Sequence, residues 1–206
     1  MNFLDWEPHY RQILDYFGFD RAADEEAARL LASLVTRDNL LSLASLTEGN
    51  EVTVCGNAPC LKDELKKIRG VVFAADAAAE VLLDHGVRPD AVFTDLDGAT
   101  DRFIEMNRAG TIIVVHAHGD NMPLLRHWVR RFPGPVVGTT QSTPLPHVHN
   151  FGGFTDGDRA VFAADELGAA DITIIGFDLG DPDVDPMKRG KLFWAGKLLG
   201  LIGHGC

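Results

Sequence analysis

From Glu51 onward, short β-rich apolar runs alternate with segments of helical character, and few folds are compatible with that alternation. The runs span residues 52–55, 71–75, 91–94, 111–115, 136–138 and 172–175, with candidate helices around 61–69, 77–85, 101–108, 121–131 and 157–167. A strand with one wet face alternates apolar and polar residues; these are apolar nearly throughout, as strands covered on both faces are. Strands of that kind separated by helices predict βαβ units. The expected fold is therefore α/β, a doubly wound, mostly parallel sheet, with residues 49–206 forming one domain.

Residues 1–48 read as a separate helical segment. Phe3, Trp6, Tyr10, Ile13, Leu14 and Phe17 recur at three- and four-residue steps, an amphipathic stripe that Gly18 is placed to end. A second helix is expected from near Ala22, with Asp24, Glu25 and Glu26 in its first turn, where acids suit the helix dipole. No catalytic constellation stands out in this segment. The stripe predicts packing, either as a brace on the α/β domain or in a homodimer.

The strand ends carry the chemistry. Gly56-Asn57-Ala58-Pro59 follows the first run, Asp76 the second, Asp95 and Asp97 the third, and His116 to Asn121 the fourth. Thr139 to Thr143 follows the fifth, and Phe177-Asp178 the last. In an open parallel sheet such ends converge on one crevice, where ligands bind. Asp-x-Asp at Asp95 and Asp97 is either a polar turn or a pair of ligands for a hard cation, and Asp76 on the same edge favours the cation. The turn at Gly56 and Asn57, leading into a helix, is either a plain turn or a set of amides for a phosphate. His116 and His118 alternate on extended chain, so one of them is expected to face the crevice. Asp120 either caps the following helix or contributes to the site, and Thr155 or Asp156 reads equally as a helix cap. Residues 181–185 read as a solvated loop, with Lys188, Arg189 and Lys191 either covering phosphates or flanking a final helix.

Charge limits the partners. With 19 Lys+Arg against 30 Asp+Glu, the net charge is −11 and no basic stripe appears, which argues against nucleic acid. Cys55, Cys60 and Cys206 are too few for a disulfide framework and suit a reducing cytoplasm. The N-terminal Met-Asn-Phe-Leu-Asp has acid where a signal peptide carries base, and no apolar run approaches the roughly 20 residues of a membrane span.

Taken together, Gly56-Asn57-Ala58-Pro59, Ala75-Asp76, Asp90 with Thr94 to Gly98, His116 to Asn121, and Gly153 to Arg159 resemble the archaeal 6-hydroxymethyl-7,8-dihydropterin pyrophosphokinases over residues 50–180. The stretch from Ala75 to Asp97 is also similar to thiamin pyrophosphokinase, whose members usually carry Ser where this chain has Gly98. The first loop departs from the expected Asn-Gly-Pro-Ser. The resemblance implies a thiamin pyrophosphokinase-like catalytic fold, Mg²⁺, ATP as co-substrate, a pterin acceptor, AMP as product, and a role in methanopterin biosynthesis. Asp76, Asp95 and Asp97 would then hold Mg²⁺. Gly56, Asn57 and Pro59 would meet phosphate, and Gln141, Thr155, Asp156, Asp158 and Arg159 would line the substrates, Gln141, Asp156 or Asp158 reading the pterin. Asp120 or His118 would be the base or a second metal contact. A thiamin pyrophosphokinase-like enzyme, a metal-dependent nucleotide-sugar glycosyltransferase and a non-catalytic nucleotide-binding protein are the other readings.

Overall fold

The computed structural model describes residues 1–204; Cys206 lies outside them. Three helices precede the sheet: α1 (Phe3–Phe17), α2 (Arg21–Leu34) and α3 (Leu40–Thr47). The stripe of α1 is real: Trp6, Tyr10 and Ile13 are fully buried. Asn2 caps its start by accepting from the Asp5 amide, and Gly18 ends it with φ 70°, a left-handed conformation that glycine adopts without a Cβ penalty. Then follow β1 (Glu51–Cys55), α4 (Leu61–Glu64), β2 (Val71–Ala75), α5 (Ala78–Asp84), β3 (Ala91–Thr94), α6 (Asp101–Arg108), β4 (Ile112–Ala117), α7 (Met122–Trp128), β5 (Val136–Thr140), β6 (Val148–His149), α8 (Asp156–Glu166), β7 (Asp171–Ile175) and α9 (Pro186–Leu201). No described helix is long and apolar enough to cross a membrane.

All six strand pairings are parallel, in the order β6-β5-β4-β3-β2-β1-β7. From β1 to β6 every crossover steps the same way. Because parallel crossovers are right-handed, helices α4 to α7 gather on one face. There α2 joins them, burying Ala27, Ala28 and Leu31 with Ala74, Val92, Ile113 and Val115. The return from β6 to β7 carries α8 over the opposite face, where α1 and α9 also pack, with Trp6, Tyr10, Phe73, Phe93, Phe162 and Leu198 in a second core. Burying a side chain such as Ile13 contributes about 1.5–3 kcal/mol relative to exposure.

Three departures from the sequence reading bear on the site. Strand β4 runs on through His116 and Ala117, so that histidine belongs to the sheet and not to a loop. Lys188, Arg189 and Lys191 lie inside the first turns of α9 instead of flanking it, Asp185 being its N-cap. Helix α4 is only four residues long, too short to present the helix N-terminus expected after Gly56.

Candidate active site

The site begins where β2 and β3 end. Asp76 leaves β2 with φ 43°, and its amide donates to Phe93 O at 2.7 Å, which ties the turn to the neighbouring strand. Thr94, the last residue of β3, donates its hydroxyl to Asp76 Oδ1 at 2.6 Å and accepts from the Leu96 amide at 2.8 Å. Leu96 is itself left-handed, with φ 76°. Two non-glycine residues in this sparsely populated region, at one strand edge, mark a backbone shaped for a site. Gly98 completes it: a Cβ there would lie 2.1 Å from Asp76 Oδ2. Any side chain at this position requires the Asp76 carboxylate to shift.

Asp156, the first residue of α8, brings a third carboxylate to the edge. One oxygen each from Asp76, Asp95 and Asp156 lies within 4.8 Å of the others. Burial works against charge on Asp95. Hydrogen bonds from His118, at 3.3 Å from Asp95 Oδ2, and from the Asp97 amide, at 3.1 Å, outweigh it and hold the carboxyl below its ordinary range. Burial pushes Asp76 up, with the Asp95 charge adding to it against the Thr94 hydrogen bond. Asp156 is pushed well up by burial and then by Asp95. Asp97 stands outside the trio at the cavity mouth; its partial burial and the charges of Asp95 and Asp76 raise it to about 6. A bound cation relieves this kind of like-charge crowding.

Two cavities flank the cluster. The inner one, about 470 Å³, opens beyond β3, β4 and β5 and is lined by Asp95, His116, His118, Gln141, Phe154 and Arg159. The outer one, about 460 Å³, lies between the ends of β1 and β7, where the strand order reverses. Asn57, Pro59, Phe177, Met187 and Leu192 form much of its wall. Thr155, Asp156 and Lys191 line both.

The predicted residues divide accordingly. His118 reaches Asp95, while Asp120 is an exposed rim residue whose amide donates to His118 Nδ1 at 3.4 Å. Helix α7 is preceded by Asn121, so Asp120 does not cap it. Asn121 instead donates to Asp95 O and His116 O, at 2.8 and 2.7 Å. Both His116 and His118 line the inner cavity, where one had been expected. Gly56, Asn57 and Pro59 all line the outer cavity, and the Gly56 amide donates to Ile175 O at 2.8 Å. Thr155 is the N-cap of α8, and Asp158 completes a capping box by accepting from the amides of Phe154 and Thr155 at 2.8 and 2.6 Å and from the Thr155 hydroxyl. Asp158 is fully buried with its oxygens engaged, so it reads no substrate. Gln141 donates its amide to Asp24 Oδ2 at 2.8 Å.

Asp24 is the residue sequence reasoning missed. It is no solvated first-turn acid: 3% exposed, it accepts from Tyr10 Oη at 2.7 Å, Gln141 Nε2 at 2.8 Å and the Gly119 amide at 2.8 Å. Residues 18–24 thus wall the inner cavity, and the N-terminal helices belong to the site. The one local signal was an aspartate at helical spacing on the buried face of α2, beside Ala27, Ala28 and Leu31.

A parallel sheet with three converging carboxylates between two ligand-sized cavities defines a class: α/β proteins with an acidic site at the strand ends. Residues 26–184 match the family described as 6-hydroxymethylpterin diphosphokinase MptE-like. Three relatives, each called 6-hydroxymethyl-7,8-dihydropterin pyrophosphokinase, come from archaea. That of Methanothermobacter thermautotrophicus is 42% identical over 94% of this chain and 92% of its own length. Those of Pyrococcus furiosus and Methanocaldococcus jannaschii are 44% and 37% identical over 86% and 87% of the chain, and over 78% and 81% of their own lengths. The chain belongs to the MptE-like 6-hydroxymethylpterin diphosphokinase family. Among solved structures, the MAf glycosyltransferase of Magnetospirillum magneticum AMB-1 aligns over 86% of the chain with a TM-score of 0.52 and 15% identity. The chain spans about a third (35%) of that protein, and the likeness shows a shared fold only.

Proposed function

We propose that this chain transfers pyrophosphate from ATP to the hydroxymethyl group of 6-hydroxymethyl-7,8-dihydropterin, releasing AMP. The observation that carries the reading is the trio Asp76, Asp95 and Asp156 standing between two cavities of similar size. Asp76 and Asp95 were expected as ligands from the sequence; Asp156 takes the third place that Asp97 was expected to fill. The donor set is all oxygen, crowded and partly buried, which fits Mg²⁺. When bound, Mg²⁺ would supply the charge that lets so acidic a site accept polyphosphate.

The protein's own residues do the rest. His118 keeps Asp95 ionised, and Thr94 fixes the Asp76 carboxylate. Lys191, which faces both cavities, and Lys188 in the outer one oppose phosphate charge. The hydroxymethyl oxygen attacks the β-phosphorus, the bond from that phosphorus to the α–β bridging oxygen breaks, and AMP leaves with those electrons. Asp97, raised towards neutrality and outside the trio, takes the hydroxymethyl proton. Positioning and charge neutralisation account for most phosphoryl-transfer catalysis, and this cluster supplies both.

We also infer a cytoplasmic homodimer serving methanopterin-type pterin biosynthesis, joined through α1 and α9, where Tyr16 and Phe193 are 58% and 60% exposed. The decisive test is to incubate the protein with ATP, Mg²⁺ and the hydroxymethyl-dihydropterin and identify the nucleotide released. AMP with pterin diphosphate is expected; ADP, or no turnover, would overturn the reading.

A further inference from the structure

The inner cavity is lined by two side chains that each keep a buried nitrogen with nothing to bond, and the two nitrogens are opposite in kind. Thr139 Oγ1 carries one hydrogen, which it donates to Val115 O at 3.0 Å. The same oxygen lies 3.1 Å from His116 Nδ1, so Nδ1 must be the donor and holds the ring proton. His116 Nε2 is then a bare lone pair. Its side chain is 1% exposed, and Nε2 has no partner among the described residues. Burial, reinforced by the Arg159 charge, keeps the ring neutral, so the lone pair stays available. Arg159 is 3% exposed and donates through its terminal nitrogens to Gly153 O and Phe154 O, at 3.4 and 2.9 Å. Its Nε–H is left unpaired.

A buried acceptor and a buried donor without partners are costly in the empty protein, and a ligand presenting the complementary pair recovers that cost. The outer cavity has no such groups among its described lining; it has Lys188 and Lys191 beside apolar walls, a setting for a nucleoside and its phosphates. A pterin offers an exocyclic amine and a ring carbonyl on one edge of a flat bicycle. On the diphosphokinase reading above, we propose that the inner cavity seats the pterin and that His116 determines its selection, Nε2 accepting from the 2-amino group while Arg159 Nε–H donates to the 4-oxo oxygen.

The test compares binding of 6-hydroxymethylpterin with its 2-oxo counterpart, 6-hydroxymethyl-lumazine, and of α,β-methylene ATP, to the full chain. Wild type, His116→Gln, whose carbonyl can stand in for Nε2, and His116→Leu, which has no acceptor, are measured by calorimetry with folding checked by circular dichroism. Wild type should prefer the 2-amino ligand by about tenfold or more. His116→Gln should keep part of that preference and His116→Leu should bind the two within about twofold, with nucleotide affinity unchanged in all three. A wild type indifferent to the 2-substituent overturns the assignment, even if the leucine variant fails to fold. So does an undiminished preference in His116→Leu, or a loss confined to the nucleotide. These outcomes are separate from the parent reading, which fails only if wild type releases no AMP.

Discussion

The two cavities are nearly equal in volume and share Asp156 and Lys191, yet they are made differently. The inner one is cut into the sheet end and closed by residues from the far N-terminus, with buried polar groups such as His116, Gln141 and Asp24 held by specific hydrogen bonds. The outer one lies at the strand-order reversal between β1 and β7, walled by turns and by the first turns of α9. The difference teaches where selectivity resides. A fixed constellation of buried donors and acceptors rejects a mismatched ligand because the mismatch leaves them unpaired. On the reading proposed above, apolar walls with exposed lysines would accept many nucleosides and hold on mainly to charge.

Substitutions at the divide should damage both sides and show the largest effects. Asp95→Asn and Asp156→Asn each remove a charge from the trio. Both should weaken Mg²⁺ binding and lower turnover by about a hundredfold or more, since metal charge stabilisation contributes several kcal/mol. AMP release titrated with Mg²⁺ is the measurement. If Asp156→Asn retains the wild-type metal dependence while Asp97→Asn loses it, the trio is Asp76, Asp95 and Asp97 after all. Next comes Gly98→Ala, whose Cβ would fall 2.1 Å from Asp76 Oδ2. It should cost about 1–3 kcal/mol of stability and displace Asp76, with weaker metal affinity. Thermal melts with and without Mg²⁺ check both parts, and a variant as stable and as responsive to Mg²⁺ as wild type would show that the turn has slack.

One-sided variants sharpen the contrast. Asp24→Asn puts an amide donor where two donors, Tyr10 Oη and Gln141 Nε2, now converge. It should cost about 1–3 kcal/mol and weaken pterin binding while leaving ATP binding alone. Lys188→Ala should do the reverse, raising the KM for ATP about threefold to tenfold, a surface-charge effect that fades with added salt. Identical effects of the two on both substrates would dissolve the division.

The smallest effect is one of pH. Asp76, Asp97 and Asp156 are held above the ordinary carboxylate range, so in metal-free protein their contribution is fully present below that range and is lost as pH rises through the folded values, for Asp97 from 3.8 to about 6. Asp95 runs the other way, its contribution being lost as acid protonates it. Asp97→Asn should therefore gain melting temperature over wild type as pH climbs from about 4 to 7, by about a few degrees, and Mg²⁺ should shrink the gain. A difference flat in pH would mean that Asp97 is solvated.

Much of this was legible in the residues. Six of the seven strands announce themselves as apolar runs, and carboxylates at Asp76 and Asp95 sit where a parallel sheet opens. Strand β6 is only Val148 and His149, too short to leave a pattern. Helix α3, with Leu40, Leu41, Leu43 and Leu46 spread around its axis, has no clean period to read. The roles of Asp156 and Asp158 could not be told apart, because one helix turn aims the first at the site and the second back at its own N-terminus. Asp24 was invisible for a different reason: two of its three partners lie 95 and 117 residues away, and local pattern carries no such information.

That long reach affects the protein while it is being made. The Trp6 indole bonds Gln141 O, 135 residues later in the chain, so at a synthesis rate of about 5–20 residues per second the first helix waits about 7–27 s for its anchor. Until then its apolar stripe has only what the nascent chain already offers. The ion pair from Arg21 to Glu7, at 2.6 Å, is available at once and can clip α1 to α2 as a hairpin before the sheet exists. A ribosome-bound chain stalled before residue 141 should therefore expose Trp6 and Tyr10 to any chaperone that binds aromatic surface, and one stalled well beyond it should not.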